Sequence, residues 1–373
     1  MPSTPILIIG AGPAGLAMAG QLRHKGLDFE IIEQGDKAGF SWHHHYERLH
    51  LHTVKELSSL PHMPFPDHFP RFVPRHMLAG YFEDYARHFN IHPHFGESAV
   101  SVVKQGNKWL TTTSKGNVWE SNCVVVATGV NRTPEEPHFN GQESFKGEWI
   151  HSRNYRNAAP YKGKQVLVIG MGNTGAEIAL DLSENGAKAF ISVRGPVNIV
   201  PREVLGRPTQ LTALMLAKLP HWLGDSLGVL LRKLTVGNLR RYGIETPAMP
   251  PARQLRTTGK TPVIDVGTLK AIKAGRIGIL PGIDRIEAHD VVFTDGRKAP
   301  FDAIIVCTGY KPYLEQFIPG VGALIDNYAL PKSVVAPPPF EGLYFLGFDN
   351  YTSGGTLGVI RRDSATIADL LMC

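Results

Sequence analysis

Apolar positions along this chain follow two rhythms. Short unbroken runs bounded by turn residues read as buried strands: residues 6–9, residues 166–169, "NCVVVATGV", "AIIVCTGY" and, late in the chain, "GLYFLGFDN". Two of these runs break into glycines and then into apolar residues at helical spacing, over residues 16–22 and in "AEIALDL". Strands alternating with helices predict an α/β fold built on parallel sheets. The long apolar segment over residues 211–234 is interrupted by Lys218, Pro220, His221, Asp225 and Arg232. It predicts two short amphipathic helices meeting near Pro220 rather than a membrane span.

The strand–glycine–helix transitions are copies of one device. "PILIIGAGPAGLAMAGQL" gives G-x-G-x-x-G as Gly10, Gly12 and Gly15, with Pro13 and Ala14 inside it. "KQVLVIGMGNTGAEIALDL" repeats it as Gly170, Gly172 and Gly175, with Asn173 and Thr174 inside. The first glycine permits the tight turn, the second lets backbone approach a diphosphate at the helix N-terminus, and the third lets the helix pack on its strand. In the first copy the next strand ends at Glu33, 23 residues after Gly10; in the second it ends at Arg194, 24 residues after Gly170. A carboxylate suits the hydroxyls of an adenosine ribose, whereas a guanidinium suits the 2′-phosphate of NADPH. Two dinucleotide sites in one chain make physical sense as a hydride donor and acceptor, which pairs NADPH with FAD.

Composition narrows the class. The chain has 373 residues, enough for two domains with separate cores. Its net charge of +6 comes without a Lys/Arg run tracking one element, so nucleic acid is not an expected partner. The three cysteines, Cys123, Cys307 and Cys373, form no CxxC pair, which argues against a dithiol redox centre. The first strand begins near Ile6, leaving no room for a cleavable signal, and a cytoplasmic location is expected. "SWHHHYERLHLH" holds His43, His44, His45, His50 and His52, but its consecutive histidines point in different directions without a companion ligand motif, and no metal is expected.

Between the two fingerprints lies "FKGEWIHSRNY", with Phe145, Gly147, His151 and Tyr155 in the pattern F-x-G-x-x-x-H-x-x-x-Y. With these motifs the chain resembles the class B flavin-dependent monooxygenases, and within them the plant YUCCA-type enzymes and bacterial relatives. "LPHMPFP", "VPRE" and "TGKTPVIDVG" are similar to YUCCA stretches. The resemblance, from about residue 6 to about residue 369, implies FAD on the first fingerprint and NADPH on the second. It also implies a monooxygenase that forms a C4a-(hydro)peroxyflavin from O₂ and oxygenates a small organic substrate, as in oxidative decarboxylation of the 2-oxo acid indole-3-pyruvate. Oxygenation of an amine or sulfide nitrogen or sulfur, or plain NADPH:acceptor reduction, are the alternatives. The family commonly has Gly-Gly ahead of its Trp, where this chain has Gly39-Phe40-Ser41-Trp42, and many relatives place an asparagine over the flavin near the position of His52.

These readings give two Rossmann-like dinucleotide-binding domains, the NADPH domain inserted into a discontinuous FAD domain. The expected boundaries are 1–156 and 313–373 for FAD, and 157–312 for NADPH with a helical insert at about 205–256. The insert is expected to cover a substrate pocket, and it also offers a surface for a homodimer or a membrane. Besides the residues above, Gln34, Trp42, His52, Val100, Thr128, Gly129 and Asp349 are candidate cofactor contacts on the first side, with Thr308, Gly309 and Tyr310 at the second glycine-ended strand. His52 and Lys55 are the candidate catalytic residues, since a cation over reduced flavin stabilises negative charge; for Lys55 the alternative is a solvated helix end. His151 and Tyr155 either contact NADP⁺ or shape the connection between domains.

Overall fold

The structure, a computed structural model, describes residues 1–372; Cys373 lies outside the described residues. The chain forms two compact units. The first comprises Met1–His44, Thr53–Thr133 and Tyr310–Cys373, and the second comprises His45–His52 and Pro134–Gly309.

The first unit is organised on a seven-stranded sheet. Strand Ser3–Ile9 sits between Glu30–Glu33 and Val118–Val126, parallel to both, and His94–Phe95 extends the sheet beyond Glu30–Glu33. The nine-residue strand Val118–Val126 is shared. Its first half pairs antiparallel with Lys108–Thr113, and its second half takes the late strand Leu343–Phe345 in parallel. Leu7, Ile8, Val124, Val125 and Val126 are fully buried, because a sheet covered on both faces needs apolar side chains at every position. Helices Pro13–His24 and Thr356–Leu370 pack on each other in this unit.

The second unit has a five-stranded sheet in the order Ile277–Leu280, Lys188–Ser192, Gln165–Ile169, Ala303–Val306, Glu148–His151. Every pairing in it is parallel. Glu148–His151 explains why the boundary differs from residue 156. Its ladder to Ala303–Val306 draws residues 134–156 into the second unit, and the return to the first falls at Tyr310 rather than 313. The segment His45–His52 also joins the second unit, which the linear pattern does not signal.

The apolar segment after residue 208 forms helices Thr209–Leu216 and His221–Thr235, with Pro220 capping the second. No helix among the described residues is long and apolar enough to cross a membrane. Cys123 and Cys307 are free thiols. Burial raises the pKa of both, that of Cys307 to about 12, so neither is poised for redox chemistry.

Candidate functional site

The two fingerprints fold into closely matching geometry. Gly10 and Gly170 have φ of +107° and +102°, a region open to glycine. Gly10 N–H donates to Ile32 O at 2.8 Å, and Gly170 N–H to Ser192 O at 3.0 Å, so each turn is tied to the neighbouring strand. A Cβ on Gly10 would lie 2.7 Å from Ala127 O, and one on Gly170 2.7 Å from Cys307 O. A Cβ on Gly15 or Gly175 would come within 1.7 Å or 2.0 Å of the first glycine's carbonyl oxygen. Gly12 and Gly172, by contrast, face open space. They cap helices Pro13–His24 and Asn173–Glu184, which receive no side-chain cap. Each helix therefore begins with free amides, the positive dipole end and a clear approach for a diphosphate.

The surroundings of the two turns differ in charge, as the sequence predicts. Glu33 is buried; its Oε2 accepts from Ala11 N–H at 2.6 Å and its Oε1 from Gly35 N–H at 2.7 Å. Burial raises its pKa, opposed by these backbone hydrogen bonds and one from Gln34. Each carboxylate oxygen keeps a lone pair for a ribose hydroxyl. Beside Gly10, the Thr128 hydroxyl is shut away from solvent without a partner among the described residues. An orphaned buried hydroxyl next to an open glycine turn fits an incoming polar group. Arg194 follows Lys188–Ser192 on the second sheet; its side chain is exposed and without an ion-pair partner among the described residues, suiting an anion.

The other candidates are placed as follows. Pro13 opens the first helix and Ala14 is buried in its first turn, while Gln34 is exposed. Trp42 lies on the short helix Phe40–His44, edge-on to Phe82 at 6.2 Å. Val100 is the residue skipped by a register shift between Ala99 and Ser101, and is 48% exposed. Gly129 and Gly309, after the matching strands, take φ of +78° and +100°. Asn173 is committed structurally, its Oδ1 accepting from Ile264 N–H at 2.6 Å, whereas Thr174 is half-buried in the same turn. The Thr308 hydroxyl donates to Glu135 O, and Tyr310 begins the return segment of the first unit. Asp349 closes a turn, accepting from Tyr351 N–H at 2.8 Å, Thr352 Oγ1 at 2.6 Å and Arg362 at 3.1 Å. Burial pushes its carboxyl up, but these hydrogen bonds outweigh burial and hold it below the usual range.

The histidine run does not form one cluster. His43 pairs with Glu83 at 3.1 Å, His44 Nδ1 donates to Phe40 O at 2.8 Å, and His50 Nδ1 donates to Arg48 O at 2.6 Å. His52 pairs with Glu177, which is 3% exposed on the second fingerprint helix. Arg48 pairs with Glu184 two turns further along that helix, so residues 48–52 lie as a strap along it. Tyr155 of the connecting motif donates to Asp181 Oδ2 on the same helix at 2.6 Å, and burial beside that carboxylate raises the Tyr155 pKa. His151 is 4% exposed, and burial lowers its pKa. Lys55, in the first unit, donates to the carbonyls of Asp67 at 2.8 Å and Phe69 at 2.9 Å, so its ammonium holds a loop. Glu177 and Asp181 are site residues the pattern did not reveal: two acids four apart inside an apolar helix were the available signal. Two of the quoted YUCCA-like stretches meet, Val200 pairing with Ile264 and Pro201 with Asp265. The third, around residues 60–66, is held by Tyr81 and Tyr85, whose hydroxyls donate to Met63 O and Pro61 O.

The flavin-binding monooxygenase-like family profile matches residues 4–337. The chain is 38% identical over 357 residues to the probable indole-3-pyruvate monooxygenase YUCCA9 of Arabidopsis thaliana, covering 92% of this chain and 83% of the relative. It is 36% identical over 386 residues to the indole-3-pyruvate monooxygenase YUCCA4 of Oryza sativa subsp. japonica, covering 98% and 87%. Among solved structures, the flavin-containing monooxygenase from Stenotrophomonas maltophilia superposes with a TM-score of 0.75 at 21% identity, covering 100% of this chain and 99% of the other. A cyclohexanone monooxygenase reaches the same TM-score of 0.75 at 17% identity, covering 99% and 88%.

Proposed function

Because the chain belongs to the flavin-binding monooxygenase-like family, we propose that it oxygenates a small 2-oxo acid, with indole-3-pyruvate as the substrate to test first. FAD and NADPH are the cofactors of this monooxygenase. The observation that carries the reading is the pair of matched glycine cradles, one beside a buried carboxylate and the other beside an exposed, unpaired guanidinium. The choice of a 2-oxo acid rests on similarity to indole-3-pyruvate monooxygenases over most of the chain.

FAD supplies the redox chemistry, accepting hydride from NADPH and passing electrons to O₂. The chain's own residues bind and orient. Gly12 and the amides of helix Pro13–His24 receive the FAD diphosphate, and Glu33 accepts from its ribose. Thr128 Oγ1 offers a hydrogen bond beside Gly10. Gly172 and helix Asn173–Glu184 receive the NADPH diphosphate, and Arg194 takes its 2′-phosphate. The overall reaction balances as one 2-oxo acid, one O₂, one NADPH and one proton giving the shortened carboxylic acid, carbon dioxide, NADP⁺ and water.

Incubation of the holoenzyme with NADPH, O₂ and indole-3-pyruvate tests this directly. The expected result is indole-3-acetate formed in step with NADPH consumed. NADPH oxidation that yields only H₂O₂ with this substrate, alongside oxygenated products from amines or sulfides, overturns the 2-oxo acid assignment.

A further inference from the structure

The insert carries its polarity the wrong way round for a helix covering its own protein. On helix His221–Thr235, at about 100° per residue, Leu223, Leu227, Leu230, Leu231 and Leu234 share roughly a 100° arc. A surface helix ordinarily buries such an arc. Here Leu223 and Leu227 are half-buried, but Leu230 is 52% exposed, Leu231 38% and Leu234 75%. The opposite side faces the unit and is polar. Asp225 pairs with Arg256 at 2.9 Å, and Arg232 donates to Asn198 at 2.5 Å. Gly224, the helix's one buried residue, closes on Leu216, whose carbonyl oxygen would lie 2.7 Å from a Cβ there. The preceding helix, Thr209–Leu216, buries no residue and exposes Leu211 and Met215. Leu230, Leu231 and Leu234 therefore face outward.

Charge identifies the occupant. Residues 205–256 carry eight Lys and Arg against Asp225 and Glu245, a net +6, which equals the net charge of the whole chain. Lys218, Lys233, Arg240 and Arg253 are exposed, and among the described residues none has an acidic partner. A second copy docked symmetrically on this face would bring two +6 surfaces together. An anionic lipid surface satisfies both features at once, taking leucine side chains into the headgroup boundary and Lys and Arg against phosphates. We propose that the insert, through Leu230, Leu231, Leu234 and the basic residues around them, docks the protein peripherally on an anionic membrane surface. The proposal is independent of the substrate assigned above.

Flotation of the holoenzyme with phosphatidylglycerol vesicles, and in parallel with phosphatidylcholine vesicles, tests it. Binding is expected to the former, released by high salt, and not to the latter. Leu234→Glu should lower the partition coefficient at least about tenfold, and Lys233→Gln about fivefold. Both variants should retain bound flavin and solution NADPH oxidation, showing that they fold. Failure of the wild type to float with phosphatidylglycerol overturns the proposal, as does binding unchanged in both variants. A dimer in sedimentation velocity that Leu234→Glu converts to monomer would make the face an interface between copies instead.

Discussion

Arg194 and His52 show how differently two candidate residues are built into the structure. Arg194 stands exposed with no ion-pair partner among the described residues, so nothing has to be broken before it meets a phosphate. Arg194→Ala should raise the KM for NADPH by about ten- to a hundredfold, as expected for a charge-assisted hydrogen bond, while leaving the KM for NADH nearly unchanged. Steady-state kinetics with both cofactors checks this, and a wild type that uses the two equally would remove the assigned role. His52 is already engaged, pairing with Glu177. His52→Ala leaves that buried carboxylate unsatisfied and should cost about 1–3 kcal/mol of stability, with His52→Ala/Glu177→Leu costing less. Thermal or denaturant unfolding reads this out. If His52 acts at the flavin, H₂O₂ leakage rises in His52→Ala with the unfolding midpoint unmoved. Lys55, bonded to two carbonyls, is expected to behave as a loop strut.

Among the elements, the strand–turn–helix unit is the one that repeats, and its third glycine is the least replaceable part. The atom that a Cβ would strike is a backbone oxygen, 1.7 Å away at Gly15 and 2.0 Å away at Gly175, which cannot swing aside. Gly15→Ala should yield protein purified without FAD. Gly175→Ala should keep its flavin yet lose reduction by NADPH. Absorbance of the purified variants and anaerobic titration with NADPH separate the two, and equal flavin content with equal reduction would refute the assignment of one cofactor to each copy. The fingerprints were legible in sequence because strand, turn and helix are contiguous, so the spacing alone encodes the geometry. The strap along the second fingerprint helix was not legible, since His52 and Glu177 are 125 residues apart. The outward direction of the insert's leucines was not legible for a related reason. Periodicity reports that an apolar face exists and leaves open which way it points.

Across the whole molecule, partial desolvation of several histidines, of which His151 is buried, gives stability a dependence on pH. Desolvation lowers the pKa of His43, His62 and His151 below the ordinary 6.5. Between the folded and unfolded values the unfolded chain binds more protons, so stability rises with pH. The contribution of these groups is complete above 6.5 and is lost as pH falls through their folded values. Asp349, held below its ordinary 3.8, adds a second loss at lower pH. The unfolding temperature should therefore hold steady near neutrality and fall progressively on acidification. His151→Gln should flatten the upper part of that fall, and a profile unchanged by the substitution would exclude His151 as a source.

The sequence by itself determined what is local: the two strand–glycine–helix devices, the opposite charges at Glu33 and Arg194, the absence of a dithiol pair, and the helix break at Pro220. These depend on steric and electrostatic rules that act over one turn or one strand end. Tertiary structure decided the rest. The ladder between Glu148–His151 and Ala303–Val306 moved the domain boundary. Glu177 and Asp181 became partners of His52 and Tyr155, and Leu230, Leu231 and Leu234 of the insert came to face outward. Each of these is a contact or an exposure set by residues far apart along the chain, and no window of sequence contains both halves of it.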